Sequence, residues 1–153
     1  MARFGRFDLS GMKELQKDLQ KLQDTDEFAE ACAKELAARL LAKVIKRTPV
    51  GEYSKETGKK GGTLRRGWTG EKRQDAKAYV DSLKVNHFGD TYVIEIINPV
   101  EYASYVEFGH RTANHKGWVT GKFMMTISEN ELEEIAPKVL KAKLKKYLGG
   151  AFK

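Results

Sequence analysis

NPVEYASYVEFGHRTANHKGWVTGKFMM, residues 98–125, is the stretch whose reading decides the fold. It opens on the turn dipeptide Asn98-Pro99 and runs through Val100–Phe108 with the aromatics Tyr102, Tyr105 and Phe108 before breaking at Gly109. Proline at the start and glycine at the end is the asymmetry of a short helix. Tyr102 then shares a face with Tyr105 and Val106, three and four residues on. From Gly109 a polar, Gly-punctuated segment carries His110 and His115, both exposed by context, and closes on Phe123, Met124 and Met125. An aromatic segment followed by a long irregular loop marks a contact surface more than a plain core.

Upstream, Tyr79–Phe88 and Thr91–Ile97 are rich in β-branched and aromatic residues and meet at the turn Gly89-Asp90. Tyr92, Ile94 and Ile96 alternate with Val93, Glu95 and Ile97, so one face is apolar and the other mixed. Thr63–Trp68 is expected to enter the same β region. The strongest helical signal covers Thr25–Arg47. There Phe28, Cys32, Leu36, Leu40 and Val44 form one i+4 row, and Ala33, Ala37, Leu41 and Ile45 form the row beside it. Lys43, Lys46 and Arg47 suit the helix dipole, and Thr48-Pro49 stops the helix. A further amphipathic helix is expected before it, with Asp8 or Ser10 as cap and Met12, Leu15, Leu19 and Leu22 on one face.

Downstream, residues 123–148 read as helix, with Leu132, Ile135, Val139, Leu140, Leu144 and Leu148 as its stripe. Ser128-Glu129-Asn130-Glu131 has the form of a capping box and offers an alternative start. Pro137 is expected to kink or restart the helix, and Gly149-Gly150 to end it, leaving 149–153 frayed. The fold class is therefore α+β: an antiparallel sheet of three or four strands packed against a long N-terminal helix and a C-terminal helix.

At 153 residues the chain is expected to form a single domain, 1–153, large enough to bury most of its apolar surface. The single Cys32 excludes an internal disulfide framework. No apolar run approaches the roughly 20 residues of a membrane span, and MARFGRFDLSG lacks a signal-peptide core, so a soluble cytoplasmic product is expected. The net charge is +7, gathered in two regions: nine Lys/Arg between Lys46 and Arg73, and six Lys without an acid from Lys138 to Lys153. Such regions read either as a nucleic-acid footprint or as a solvated loop and helix face, and the latter is favoured. Residues 48–62 have no periodicity and form a mobile, basic, Gly-rich loop. Gly58-Lys59-Lys60-Gly61-Gly62 lacks the spacing of a phosphate-binding loop and follows a helix, not a strand.

Nothing nominates an enzyme or a cofactor. His110 and His115 with Glu107 lack the ligand order of a metal motif. Glu101 and Glu107 sit on different faces of the short helix. The aromatics Tyr102, Tyr105, Phe108, Trp68 and Trp118 read either as core or as interface, since Tyr, Trp, Arg111 and the Met124-Met125 pair are types enriched at protein contacts.

Taken together, Thr48-Pro49-Val50-Gly51, Gly62-Thr63-Leu64-Arg65-Arg66-Gly67-Trp68, the run Asn98–Arg111 and Gly121-Lys122-Phe123-Met124-Met125 resemble the gene-product-ten type of tail-completion and head–tail joining proteins of tailed bacteriophages and prophages. The resemblance spans about Gly11 to Leu148, and YVEFGHR is its most specific part. The chain departs from the pattern by lengthening the link between TPV and LR into a fifteen-residue loop. The resemblance implies a structural virion protein without catalytic activity, made in the host cytoplasm and forming a sixfold ring at the junction of tail and connector. Its partners would be copies of itself, neck, connector and tail-terminator or tail-tube proteins, and DNA passing through the lumen. The expected contact edge is Tyr102, Tyr105, Glu107, Phe108, His110, Arg111, Trp118, Phe123 and Met124. Tyr53, Lys55, Lys59, Lys60, Arg65 and Arg66 form an expected assembly loop. The alternative is a basic nucleic-acid-binding α+β module, which salt dependence would distinguish.

Overall fold

In a computed structural model, residues 17, 20, 25–70 and 74–149 are described. The amphipathic helix expected around Met12–Leu22 falls almost entirely outside them, as do residues 150–153 of the expected tail. Helix α1, Thr25–Arg47, spans the range its apolar rows predict. Its Ala37, Leu41 and Val44 are buried, the last two completely. A fully buried Leu or Val contributes about 1.5–3 kcal/mol, so this face is the main source of cohesion.

The long C-terminal helix, Met124–Tyr147, lies antiparallel to α1. At one end Arg47 bonds Ser128 Oγ at 2.9 Å and Glu131 at 2.6 Å, and Lys43 reaches Glu131 at 2.9 Å. At the other, Phe28 stacks on Tyr147 with ring centroids 4.4 Å apart. The helix begins at Met124, not at the capping-box position. Ser128 is fully buried inside it and donates to the Met124 carbonyl at 2.6 Å, the back-bonding open to a mid-helix serine. It continues through Pro137 without restarting.

Between these two helices the chain makes short elements: α2 (Thr63–Gly67), α3 (Ala76–Asp81), β1 (Asn86–Phe88), β2 (Thr91–Val93), α4 (Ala103–Phe108), β3 (Gly109–Arg111) and β4 (Trp118–Thr120), so the long C-terminal helix is α5. The α+β class with antiparallel pairing and two flanking long helices stands. The four strands, however, form two separate hairpins, β1-β2 and β3-β4, instead of one sheet.

Thr63–Trp68, expected to enter the β region, and the first residues of the expected strand Tyr79–Phe88 are helical. Thr63–Gly67 forms one helical turn entered from Gly62, too short to show a period. Ala76–Asp81 is capped by Asp75, whose carboxylate accepts from the Ala78 N–H at 2.7 Å, the ordinary N-cap contact. Strand pairing starts only at Asn86, and the Gly89-Asp90 turn sits where the sequence places it. Helix α3 packs on α1 through Val80, with Ala76, Tyr79 and Leu83 around it.

Candidate functional site

The four sequence motifs converge on one internal framework. Thr48, directly after α1, is fully buried. Its hydroxyl accepts from Trp68 Nε1 at 2.8 Å, donates to the Val44 carbonyl at 2.6 Å and lies 3.4 Å from Met124 Sδ. The Thr48 carbonyl, freed by the helix stop at Pro49, accepts both Nε and Nη2 of Arg65 at 3.1 and 2.7 Å. Asn98 then ties in the next segment. Its amide donates to the Leu64 carbonyl at 2.8 Å, and its Oδ1 accepts from Val100 N at 3.1 Å, an Asx turn that starts the approach to α4.

Glu107 closes the framework. It is 6 % exposed. Its carboxylate accepts from Met125 N and Thr126 N, both at 2.9 Å, and from the Thr126 hydroxyl at 2.7 Å. These are orphan N–H groups in the first turn of α5, where negative charge is also favoured by the helix dipole. Lys122 N and Phe123 N in turn bond the Val106 and Glu107 carbonyls at 2.7 and 3.0 Å. Two glycines permit this closeness. A Cβ at Gly121 would collide with the Glu107 carbonyl oxygen. One at Gly109, whose φ is +88°, would collide with that of Val119.

This framework holds a set of large apolar side chains outward. Tyr105 is 59 % exposed, Phe108 62 % and Trp118 61 %, with Tyr102, Val119 and Phe123 also exposed. Phe123 has a left-handed backbone (φ 47°, ψ 40°), a conformation a non-glycine residue adopts only at a cost. The tip between β3 and β4 is ordered by its own side chains, so the expected irregular loop is a hairpin. Thr112 Oγ1 donates to Asn114 Oδ1 at 2.6 Å and accepts from Gly117 N at 3.0 Å, and Asn114 Oδ1 also accepts from Lys116 N at 3.1 Å. In this hairpin Arg111 sits opposite Trp118 and His110 opposite Val119.

The expected contact edge therefore divides. Tyr102, Tyr105, Phe108, Arg111, Trp118 and Phe123 are exposed, while Glu107 and Met124 face inward and build the monomer. Trp68 also belongs to the core. His110 is not exposed as its context suggests. It is half-buried beside the Tyr105 ring, centroids 5.7 Å apart, and its Nδ1 is buried without a hydrogen-bond partner. His115 is exposed at the hairpin tip. Among the described residues no three His, Cys, Asp or Glu are grouped to hold a metal.

The expected assembly loop also divides. Tyr53, Lys55, Lys59 and Lys60 are exposed, with a 3-10 turn at Lys55–Thr57 and Lys59 Nζ 6.0 Å from the Tyr53 ring centre. Arg65 points back into the fold instead, to the Thr48 carbonyl, while Arg66 is exposed and bonds locally to the Gly61 carbonyl at 3.2 Å. Tyr53 and Tyr102, with Val50, Leu64 and Val106, line a pocket of about 200 Å³ that brings the loop to α4. Sequence reasoning did not join these two segments, because they lie some fifty residues apart and no periodicity links them.

Cys32 is half-buried on α1, and burial pushes its thiol above the ordinary range despite nearby Lys143. A raised thiol is a poor nucleophile. None of the described helices is long and apolar enough to cross a membrane. No curated protein and no solved structure matches the chain. The family described as "Bacteriophage HK97-gp10, putative tail-component" matches residues 13–109, which hold α1, the internal framework up to Glu107, and the start of the exposed edge. With more than half of its length matched, the chain belongs to this HK97-gp10-like bacteriophage tail-component family.

Proposed function

We propose that this tail component is a non-catalytic joining protein that completes the tail at the head–tail interface as a ring of six copies, assembled in the host cytoplasm. The observation that carries the reading is the exposed aromatic edge of Tyr102, Tyr105, Phe108, Trp118 and Phe123. Contiguous apolar surface of this kind on a soluble chain marks a partner site, and Tyr and Trp are the types that anchor such sites. The edge is also pre-organised. Bonds from Glu107, Lys122 and Phe123 fix its base, and the Thr112–Gly117 contacts fix its tip. Little ordering entropy is then lost on association.

A ring requires heterologous contacts between two different patches of neighbouring copies. The edge serves as one of them, and the Val50, Tyr53 and Tyr102 pocket beside it extends the surface toward the 48–62 loop. Neck, connector and tail proteins meet the faces of the ring. Arg111, exposed and opposite Trp118 in the hairpin, supplies a forked donor for a partner carboxylate. Arg111→Glu is expected to leave circular dichroism and melting nearly unchanged while abolishing the ring or its docking to tails. Normal incorporation of the variant into tail-bearing particles overturns the assignment of this edge.

A further inference from the structure

We propose that the groove between α1 and the C-terminal half of α5 binds the phosphate backbone of duplex DNA without reading its sequence. The groove encloses about 530 Å³, and four cations line it: Arg39 from α1 and Lys138, Lys143 and Lys146 from α5. One acid, Glu35, shares it, and that carboxylate is held by Arg39 at 2.9 Å. Among the described residues no carboxylate pairs with Lys138, Lys143 or Lys146. The opposite end of the same helix pair behaves differently. There Lys43 and Arg47 share the one carboxylate of Glu131 at 2.9 and 2.6 Å. Lys138, Lys143 and Lys146 thus stand without a paired carboxylate, and exposed Lys141 and Lys145 add to their charge, against the exposed acids Asp26, Glu27 and Glu30 on the adjoining end of α1.

The shape and composition select the ligand. Lys138 to Lys146 span eight residues of helix, about 12 Å, the length of three to four base-pair steps of about 3.4 Å. Among the described residues no aromatic side chain lines the groove, so none of them offers the stacking platforms that hold single strands. Ile135 and Val139 form a half-buried floor that lysine stems can cover while their ammonium groups stay in water. The rim is lysine-rich, whereas the centres of protein interfaces are depleted in lysine. Lysine acts on phosphate as a point charge, which suits contact independent of sequence. The groove shares no residue with the aromatic edge, so it stands or falls apart from the ring.

The test is fluorescence anisotropy of the full-length protein with a mixed-sequence duplex of about 20 base pairs, between about 50 and 200 mM salt. Wild-type affinity is expected to fall steeply across that range. The combined K138Q, K143Q and K146Q variant is expected to bind at least about tenfold more weakly, with a salt slope shallower by up to about three. The corresponding lysine-to-arginine variant retains binding and controls for folding. Replacement of Lys55, Lys59 and Lys60 by glutamine is expected to leave binding unchanged. The proposal is overturned if the wild type fails to bind duplex or the glutamine variant binds as well as wild type. It is equally overturned if the 55–60 replacements carry the loss, or if polyglutamate displaces the duplex more effectively than unlabelled duplex does, which would make the groove a site for an acidic protein.

Discussion

Glu107 and its neighbours show how one short run of residues serves two purposes. In YVEF, Glu107 turns inward and caps α5, while Tyr105 and Phe108, two before and one after, turn outward. Glu107→Ala strips acceptors from buried donors in the first turn of α5, a loss of about 2 kcal/mol. Chemical denaturation measures it, and a change below about 0.5 kcal/mol would show the cap to be idle. Thr48 has the same inward character, bonded to Trp68 and Val44 and packed on Met124. The types Thr, Glu and Trp in these motifs therefore report on the monomer, and the interleaved Tyr and Phe report on its surface. Sequence reading placed Glu107 and Met124 with the surface because a carboxylate and a methionine are compatible with either side. Only the chain's return at Lys122 and Phe123 brings the α5 N-terminus against Glu107, and that is a long-range event.

Among elements, the long helices and the short α4 were legible, and the short α2 and α3 were not. Helix α1 carries two complete i+4 rows over 23 residues, and α4 is bracketed by its own Pro and Gly. Helix α2 is a single turn of five residues, and in α3 the residues Tyr79 and Val80 imitate strand composition. The Asp75 cap was the available signal for α3. Two contacts between elements titrate. Lys43, and then Arg47, hold the Glu131 carboxyl below its usual range. A depressed carboxylate stabilises the fold above its unfolded pKa, and the contribution disappears as pH falls through the lower folded value. Acid is therefore expected to loosen the α1–α5 contact, and Glu131→Gln is expected to flatten the acid limb of a melting-temperature profile. An unchanged limb contradicts the assignment. Tyr92 donates to Asp26 at the start of α1, and that bond pushes its phenol up to about 12. A raised pKa stabilises below the unfolded value near 10 and is lost as pH rises through the folded one. Ultraviolet tyrosinate titration is expected to lose its latest component in Tyr92→Phe. Loss of an ordinary component instead would place Tyr92 in solvent.

For the whole molecule, the described structure separates three regions: an antiparallel helix pair with a basic groove at one end, an internal framework built by the family motifs, and an aromatic edge held outward by that framework. The second determines the third, which is why a family pattern legible in sequence coincides with an exposed surface. Large apolar groups left in water are costly to a lone monomer, and association removes them from solvent at about 25 cal/mol per Å² of apolar area. The most direct test is the solution mass of the purified protein at several concentrations, beside a variant with Tyr105, Phe108 and Trp118 all replaced by serine. The wild type is expected to reach six chain masses as concentration rises, and the variant to remain monomeric with an unchanged melting temperature. A wild type that stays monomeric throughout, or a serine variant that assembles equally well, contradicts the central claim that this edge builds the ring.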